Sequence, residues 1–163
     1  CELTLREGLQ CYYESFPESK EILKDSPESG YLLRDHDCTH VIFGLDISID
    51  QEAILDTWVL WGTSFKWRYL LSYAKLPQIK DLQKRLISEL GIKGFLGLYW
   101  NTLAIKRKVF FRTRKMKKKW PFQIPEEYLD MKISDLREIH GINILSAEEL
   151  NYIPTKWSGS ISN

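Results

Sequence analysis

Proline and glycine cut this chain into pieces of helix length, and no piece alternates polar and apolar residues as a half-buried strand would. Pro17, Pro27, Pro77 and Pro125 each interrupt a helical run, because proline lacks the amide hydrogen and crowds the preceding turn. Gly44, Gly91 and Gly141 stand where an apolar run ends, the usual place for a left-handed residue. Between these stops the apolar residues recur at helical spacing. Leu5, Leu9 and Tyr12 open the series. Leu32, Leu33, Val41, Ile42 and Phe43 lead to Gly44. Asp46, Ser48 or Asp50 can cap the next run, which carries Ile54, Trp58, Trp61 and Phe65 towards Leu76. Ile79, Leu82, Leu86, Ile87 and Leu90 form a face that Gly91 closes, and an apolar-then-basic run extends from Ile92 to Lys119. Two short helical pieces follow, "PEEYLDM" after Pro125 and "SDLREIHG" with Ser134 as cap. Asn-Gly hairpin signals and internal repeats are absent. This pattern predicts an all-α fold: an antiparallel helical bundle of about six to seven helices with short connections. A single domain is expected over residues 1–163, with a frayed tail at 155–163.

Apolar residues make up 44% of the chain, enough for a core of useful size. The start "CELTLREGLQ" carries charges where a secretory leader would be apolar. Opening on Cys1 rather than Met, the chain is expected to be truncated at its N-terminus. Cys1, Cys11 and Cys38 are odd in number and lack CxxC spacing, which argues for a reducing compartment rather than a disulfide framework. The longest charge-free run, Gly94 to Ile105, is too short to span a bilayer, which takes about 20 residues. The net charge of +1 conceals an asymmetry. Nine Lys/Arg and no acid lie between Lys106 and Lys119, leaving −8 on the remainder.

The chemistry concentrates in "RDHDCTHVIFGLDISIDQE". Residues four apart on a helix differ by about 40° around the axis, so His36 and His40 can face one ion. Asp37, about 100° away, can join a larger shell, orient a histidine or act as a base beside the ion. Glu52 falls in the first turn of the helix returning from Gly44 and can close the site from across the hairpin. Two imidazoles with one or two carboxylates suit Zn²⁺, Mn²⁺, Fe²⁺ or Mg²⁺. The competing account is a pair of solvated histidines on a polar face; the carboxylate at the matching level favours the metal.

His36, Asp37 and His40, then the eleven residues Val41 to Gln51, then Glu52, resemble the H-D-x-x-H-x11-E signature of the coenzyme Q biosynthesis protein 4 family. "EEYLDMKISDLREIHGI" is similar to that family's closing segment, so the resemblance spans approximately residues 29–144. It implies an all-helical protein with a divalent metal held by His36, Asp37, His40 and Glu52, with Asp37 and Glu52 as candidate catalytic carboxylates. It also implies a polyprenylated aromatic lipid as ligand, oxidative decarboxylation at ring position C1, and contact with other quinone-biosynthesis proteins at a membrane. A non-catalytic lipid-binding scaffold and a zinc-dependent hydrolase are the alternatives. A homo-oligomer, intracellular and peripheral on the cytoplasmic or matrix face of a membrane, is the expected setting.

Two further segments fit that setting. Trp58, Trp61 and Phe65 follow Glu52 and can form an apolar strip for a prenyl tail, opposed by "GFLGLYW"; a densely packed helix is the plainer account. In "KRKVFFRTRKMKKKWPF" the cations Lys115, Lys117, Lys118 and Lys119 stand beside Val109, Phe110, Phe111, Trp120 and Phe122. A solvated helix face would carry acids among the cations, and no nucleic-acid module surrounds the segment. An anionic membrane surface is therefore the expected partner, at about 1 kcal/mol per cation.

Overall fold

A computed structural model of the protein describes residues 2–17, 30–64, 66 and 77–156, and within these it is an all-α bundle. Among the described residues six helices succeed one another: α1 (Leu5–Ser15), α2 (Gly30–Phe43), α3 (Ile49–Gly62), α4 (Pro77–Thr113), α5 (Glu126–Leu129) and α6 (Ile133–His140). A 3₁₀ turn, Ala147–Glu149, follows. Isolated bridges are the only β-pairing among the described residues.

Local chemistry accounts for several helix ends. Thr4 caps α1 by a reciprocal pair: its hydroxyl accepts from the Glu7 amide, and the Glu7 carboxylate accepts from the Thr4 amide at 2.8 Å. Gly44 and Gly141 terminate α2 and α6 with φ of 68° and 67°. Gly91 interrupts α4 with φ 62° and ψ 178°, so the segment is two helical stretches joined at a break.

Tertiary pairing decides the other ends and corrects two expectations. The run towards Leu76 is not one helix. It stops at Gly62, because the Trp120 amide donates to the Gly62 carbonyl at 2.9 Å and the Ser64 amide to the Trp120 carbonyl at 2.8 Å. Phe65 and residues 67–76 lie outside the described residues. Ser134 is not the cap of α6, which begins at Ile133. The Ile133 amide is held by the Leu3 carbonyl, and the Leu5 amide by the Met131 carbonyl, so an extended pairing of the two segments starts both α1 and α6.

Burial then organises the bundle. α1 lies antiparallel on α2, with Tyr13 beside Asp37 and Gly8 beside Val41. The second stretch of α4 packs along α3, and the two ascend together: Trp61 meets Phe110, and Gly62 meets Thr113. Trp58 and Phe43 stack at 4.6 Å between centroids with planes 13° apart, and Ile54, Leu55, Ile105 and Val109 belong to the same buried core. Trp120 is fully buried beside His140 and Tyr128. From Ile142 the chain runs as a strap back over the bundle. Arg112 grips Glu149 through two bonds of 3.0 and 2.8 Å, and Thr155 donates amide and hydroxyl to the buried Asp50 carboxylate at 2.7 and 2.8 Å. Of the expected tail at 155–163 only Thr155 and Lys156 are among the described residues, and residues 157–163 lie outside them.

Trp58 has no exposed surface, so Trp58→Ala should cost about 3–5 kcal/mol of folding free energy. Chemical denaturation followed by circular dichroism measures it; a loss below about 1 kcal/mol would mean the stack is not part of the core.

Candidate metal centre

The centre is built where α2 ends and α3 begins. Gly44 breaks α2, and residues 44–48 turn the chain back within five positions. Asp46 stiffens this turn. Its carboxylate accepts from the Ser48 amide and from the Gln51 side chain, which in turn accepts from the Asp46 amide. Ser48 supplies the first helical carbonyl of α3, to the Glu52 amide at 2.8 Å, without a side-chain cap. Glu52 is thereby set in the first turn, facing the last turns of α2.

His36, His40 and Glu52 each offer one ligand atom, and the three atoms lie within 4.8 Å of one another. His40 Nε2 is 3.1 Å from Glu52 Oε1, and His36 Nε2 is 3.9 Å from Glu52 Oε2. The His40 side chain is completely buried, with Tyr12 stacked on its ring at 5.4 Å. Its Nδ1 lies 3.3 Å from the Leu45 carbonyl, and a hydrogen donated there leaves the Nε2 lone pair facing the site. That Nε2 is buried and makes no hydrogen bond of acceptable geometry. A buried polar atom left in this state is costly, and an ion between it and the carboxylate removes the cost. These three residues therefore form a group able to hold a metal ion.

Asp37 stands apart from that group. Its Oδ1 is 3.7 Å from His36 Nδ1, on the side of the ring away from Glu52, and its Oδ2 accepts from the Tyr13 hydroxyl at 3.0 Å. The arrangement is that of a carboxylate orienting an imidazole. Burial and then the charge of Asp37 push the Tyr13 hydroxyl well above the usual phenol range, so it remains a donor.

Burial opposes the charge on His36, yet the Asp37 carboxylate and the charges of Glu52, Asp37 and Asp56 outweigh it and raise its pKa. Burial likewise opposes the Glu52 charge, and the two imidazoles, His40 first, more than compensate and lower its pKa. Asp56, one turn beyond Glu52, behaves differently. Loss of water, and then the negative charge of Glu52, push it up to about 6, although Lys106, His36 and His40 pull the other way.

The other expected site residues scatter. Trp58 belongs to the core, and Trp61 is about half exposed against Phe110, so the two do not share one open strip. Phe65 lies outside the described residues. Lys115, Lys117, Lys118 and Lys119 are all exposed in the turn that follows α4, but Val109, Trp120 and Phe122 are buried. Phe111 remains open beside the cations. No helix of the described residues is long and apolar enough to cross a membrane. The third histidine, His140, is a core residue 3.3 Å from the Tyr128 hydroxyl. Tyr12, Tyr13 and the Leu45 carbonyl were not foreseen. They reach the site from another helix or from the backbone, and no spacing in the sequence announces that. Asp56 had a signal, since it lies four residues past Glu52.

Compared with family models, curated proteins and solved structures, the chain matches none.

The shifts fix the pH behaviour of the metal-free protein. The raised His36 pKa contributes stability that is complete below the unfolded value of 6.5 and is lost as pH rises through the folded value. The lowered Glu52 pKa contributes above 4.5 and is lost as pH falls through its folded value. The stability difference between the native chain and Glu52→Gln should therefore be largest between these limits, as read by urea denaturation across pH. A difference that does not change with pH would remove the electrostatic coupling.

Proposed function

We propose that the protein is a divalent-metal-dependent, membrane-associated member of quinone biosynthesis, binding a prenylated aromatic acid beside His36, His40 and Glu52. One observation carries the reading: three ligand atoms converge at the H-D-x-x-H-x11-E positions, one of them a buried imidazole nitrogen without a hydrogen bond. Three protein donors leave coordination positions for a ligand, as catalytic rather than structural sites do. Two imidazoles and a carboxylate favour Zn²⁺, Mn²⁺ or Fe²⁺ over Mg²⁺, which prefers oxygen. Asp37 and Tyr13 hold His36 in place.

When bound, the ion supplies Lewis acidity to an oxygen-bearing head group. The chain's own contribution is to orient the imidazoles, to exclude water around His40, and to offer a carboxyl at Asp56 that titrates near 6 and can hold or release a proton. The hydrolytic reading is weaker, because Asp37, its base, is engaged by Tyr13 and His36. A pure scaffold would bind the same ligand without turnover.

The prenyl tail is assigned to α4 rather than to Trp58. Ile92, Leu96, Tyr99 and Leu103 recur at spacings of four, three and four, and all are exposed. The third member of this stripe, Tyr99, lies under the Lys106 ammonium on the stretch of α4 that packs along α3, the helix that carries Glu52. Each buried CH₂ adds about 0.8 kcal/mol, so a few isoprene units on the stripe outweigh the head group. Phe111, Trp61 and the exposed lysines after α4 are assigned to an anionic membrane surface.

His36→Ala or His40→Ala should abolish one-to-one Zn²⁺ or Mn²⁺ binding in calorimetry, and Glu52→Ala should weaken it by at least about tenfold. Leu96→Ser with Leu103→Ser should weaken a prenylated hydroxybenzoate far more than hydroxybenzoate itself. Turnover of the prenylated acid by the metal-loaded protein separates enzyme from scaffold, and undiminished metal binding by the double histidine variant would overturn the site.

Replacing Lys115, Lys117, Lys118 and Lys119 by Gln should reduce co-sedimentation with vesicles containing phosphatidylserine, and 0.5 M salt should act on the native protein in the same direction. Native protein that ignores such vesicles at low salt would refute the membrane assignment.

A further inference from the structure

The metal group accounts for Glu52 and both imidazoles but leaves a neighbouring cation unexplained. Lys106 is half-buried on α4, with its ammonium 4.1 Å from the centroid of the Tyr99 ring. No carboxylate lies within ion-pair distance of it among the described residues, although eight other Lys and Arg follow before residue 120. Burial lowers its pKa and the charge of Asp56 raises it. Asp56 is thus within electrostatic reach of Lys106 and Tyr99 on one side, and of Glu52, His36 and His40 on the other. α3 and this stretch of α4 run side by side, with Trp61 against Phe110 and Gly62 against Thr113, so Asp56 and Lys106, each about one turn earlier, stand at the same level of the bundle. Glu52 and Asp56 are one helical turn apart, about 6 Å along the axis.

A lysine ordinarily extends its ammonium into water and is most stable there. This one lies over an aromatic face without making a close ion pair among the described residues. A ring beneath a cation fixes its direction and adds modest attraction while leaving the ammonium hydrogens available. Such a group is poised to bind an anion that arrives from outside.

We propose that Lys106, seated on Tyr99, is the specificity-determining residue that receives the anionic group of the ligand entering the metal centre, with Asp56 attracting the ammonium until the ligand arrives. The assignment rests on the metal reading above and names the residue that recognises the acid group of its ligand. The anion exchanges Asp56 for the ligand as the partner of Lys106. No bond is made or broken.

The test titrates Co²⁺-loaded protein with benzoate and with its uncharged counterpart benzamide, by calorimetry. Native protein should prefer benzoate. Lys106→Met should weaken benzoate by about tenfold, the scale of a hydrogen bond to a charged group, while Co²⁺ and benzamide binding stay unchanged. Lys106→Arg should keep most of the preference, and Asp56→Asn should tighten benzoate by removing its competitor. Equal benzoate affinity in native and Lys106→Met protein would overturn the proposal, as would equal losses for both probes. Failure of native protein to take up Co²⁺ refutes the metal reading instead. The same titration on metal-free protein then still reads Lys106, and no benzoate binding in either form overturns this inference as well.

Discussion

The hinge of the structure is the way one residue, His40, both ends a helix and enters a site. Its carbonyl accepts the amides of Gly44 and Leu45 at 2.8 and 3.0 Å, closing α2, while its Nδ1 meets the Leu45 carbonyl at 3.3 Å. Backbone and ring are thus held by the same turn. Once that turn is set, the direction of α3 follows, Glu52 is delivered opposite the imidazole, and Trp58 falls onto Phe43 two turns later. A turn that placed Leu45 differently would lose the contact at His40 Nδ1 and the position of the carboxylate together.

Charge around the site is graded rather than uniform. Asp37 and Tyr13 lie behind His36, Glu52 lies between the two imidazoles, and Asp56 lies one turn further out. Burial opposes the charge of Glu52, and the two imidazoles more than offset it and lower its pKa. The outer carboxylate, Asp56, lies exposed at the surface with its pKa raised. The same packing of α3 along α4 that buries Ile54 and Val109 brings Lys106 towards this gradient.

The aromatic residues show why a stripe in the sequence is an incomplete guide. Trp58 and Trp61 are three apart and read as one face, yet Trp58 is enclosed by Phe43 while Trp61 rests at the edge against Phe110. Trp120 and Phe122 read as companions of the cations and are instead core residues, because their backbone pairs with the end of α3 and turns them inward. Helical periodicity tells which residues can be neighbours; the partner surface decides which of them are covered.

What the sequence by itself determined is therefore local. The Gly and Pro stops, the histidines four apart and the following Glu52 specify helices, their breaks and a hairpin, since each depends on backbone conformations of a few residues. The group of His36, His40 and Glu52, able to hold a metal ion, was legible for that reason: its members sit on two consecutive helices joined by a short turn. Only the tertiary structure decided that α3 stops at Gly62, that Leu3 and Met131 start α1 and α6, and that Tyr12 and Tyr13 attend the site. Those contacts join segments far apart in the chain, where no period or spacing links the residues and packing alone selects the partner.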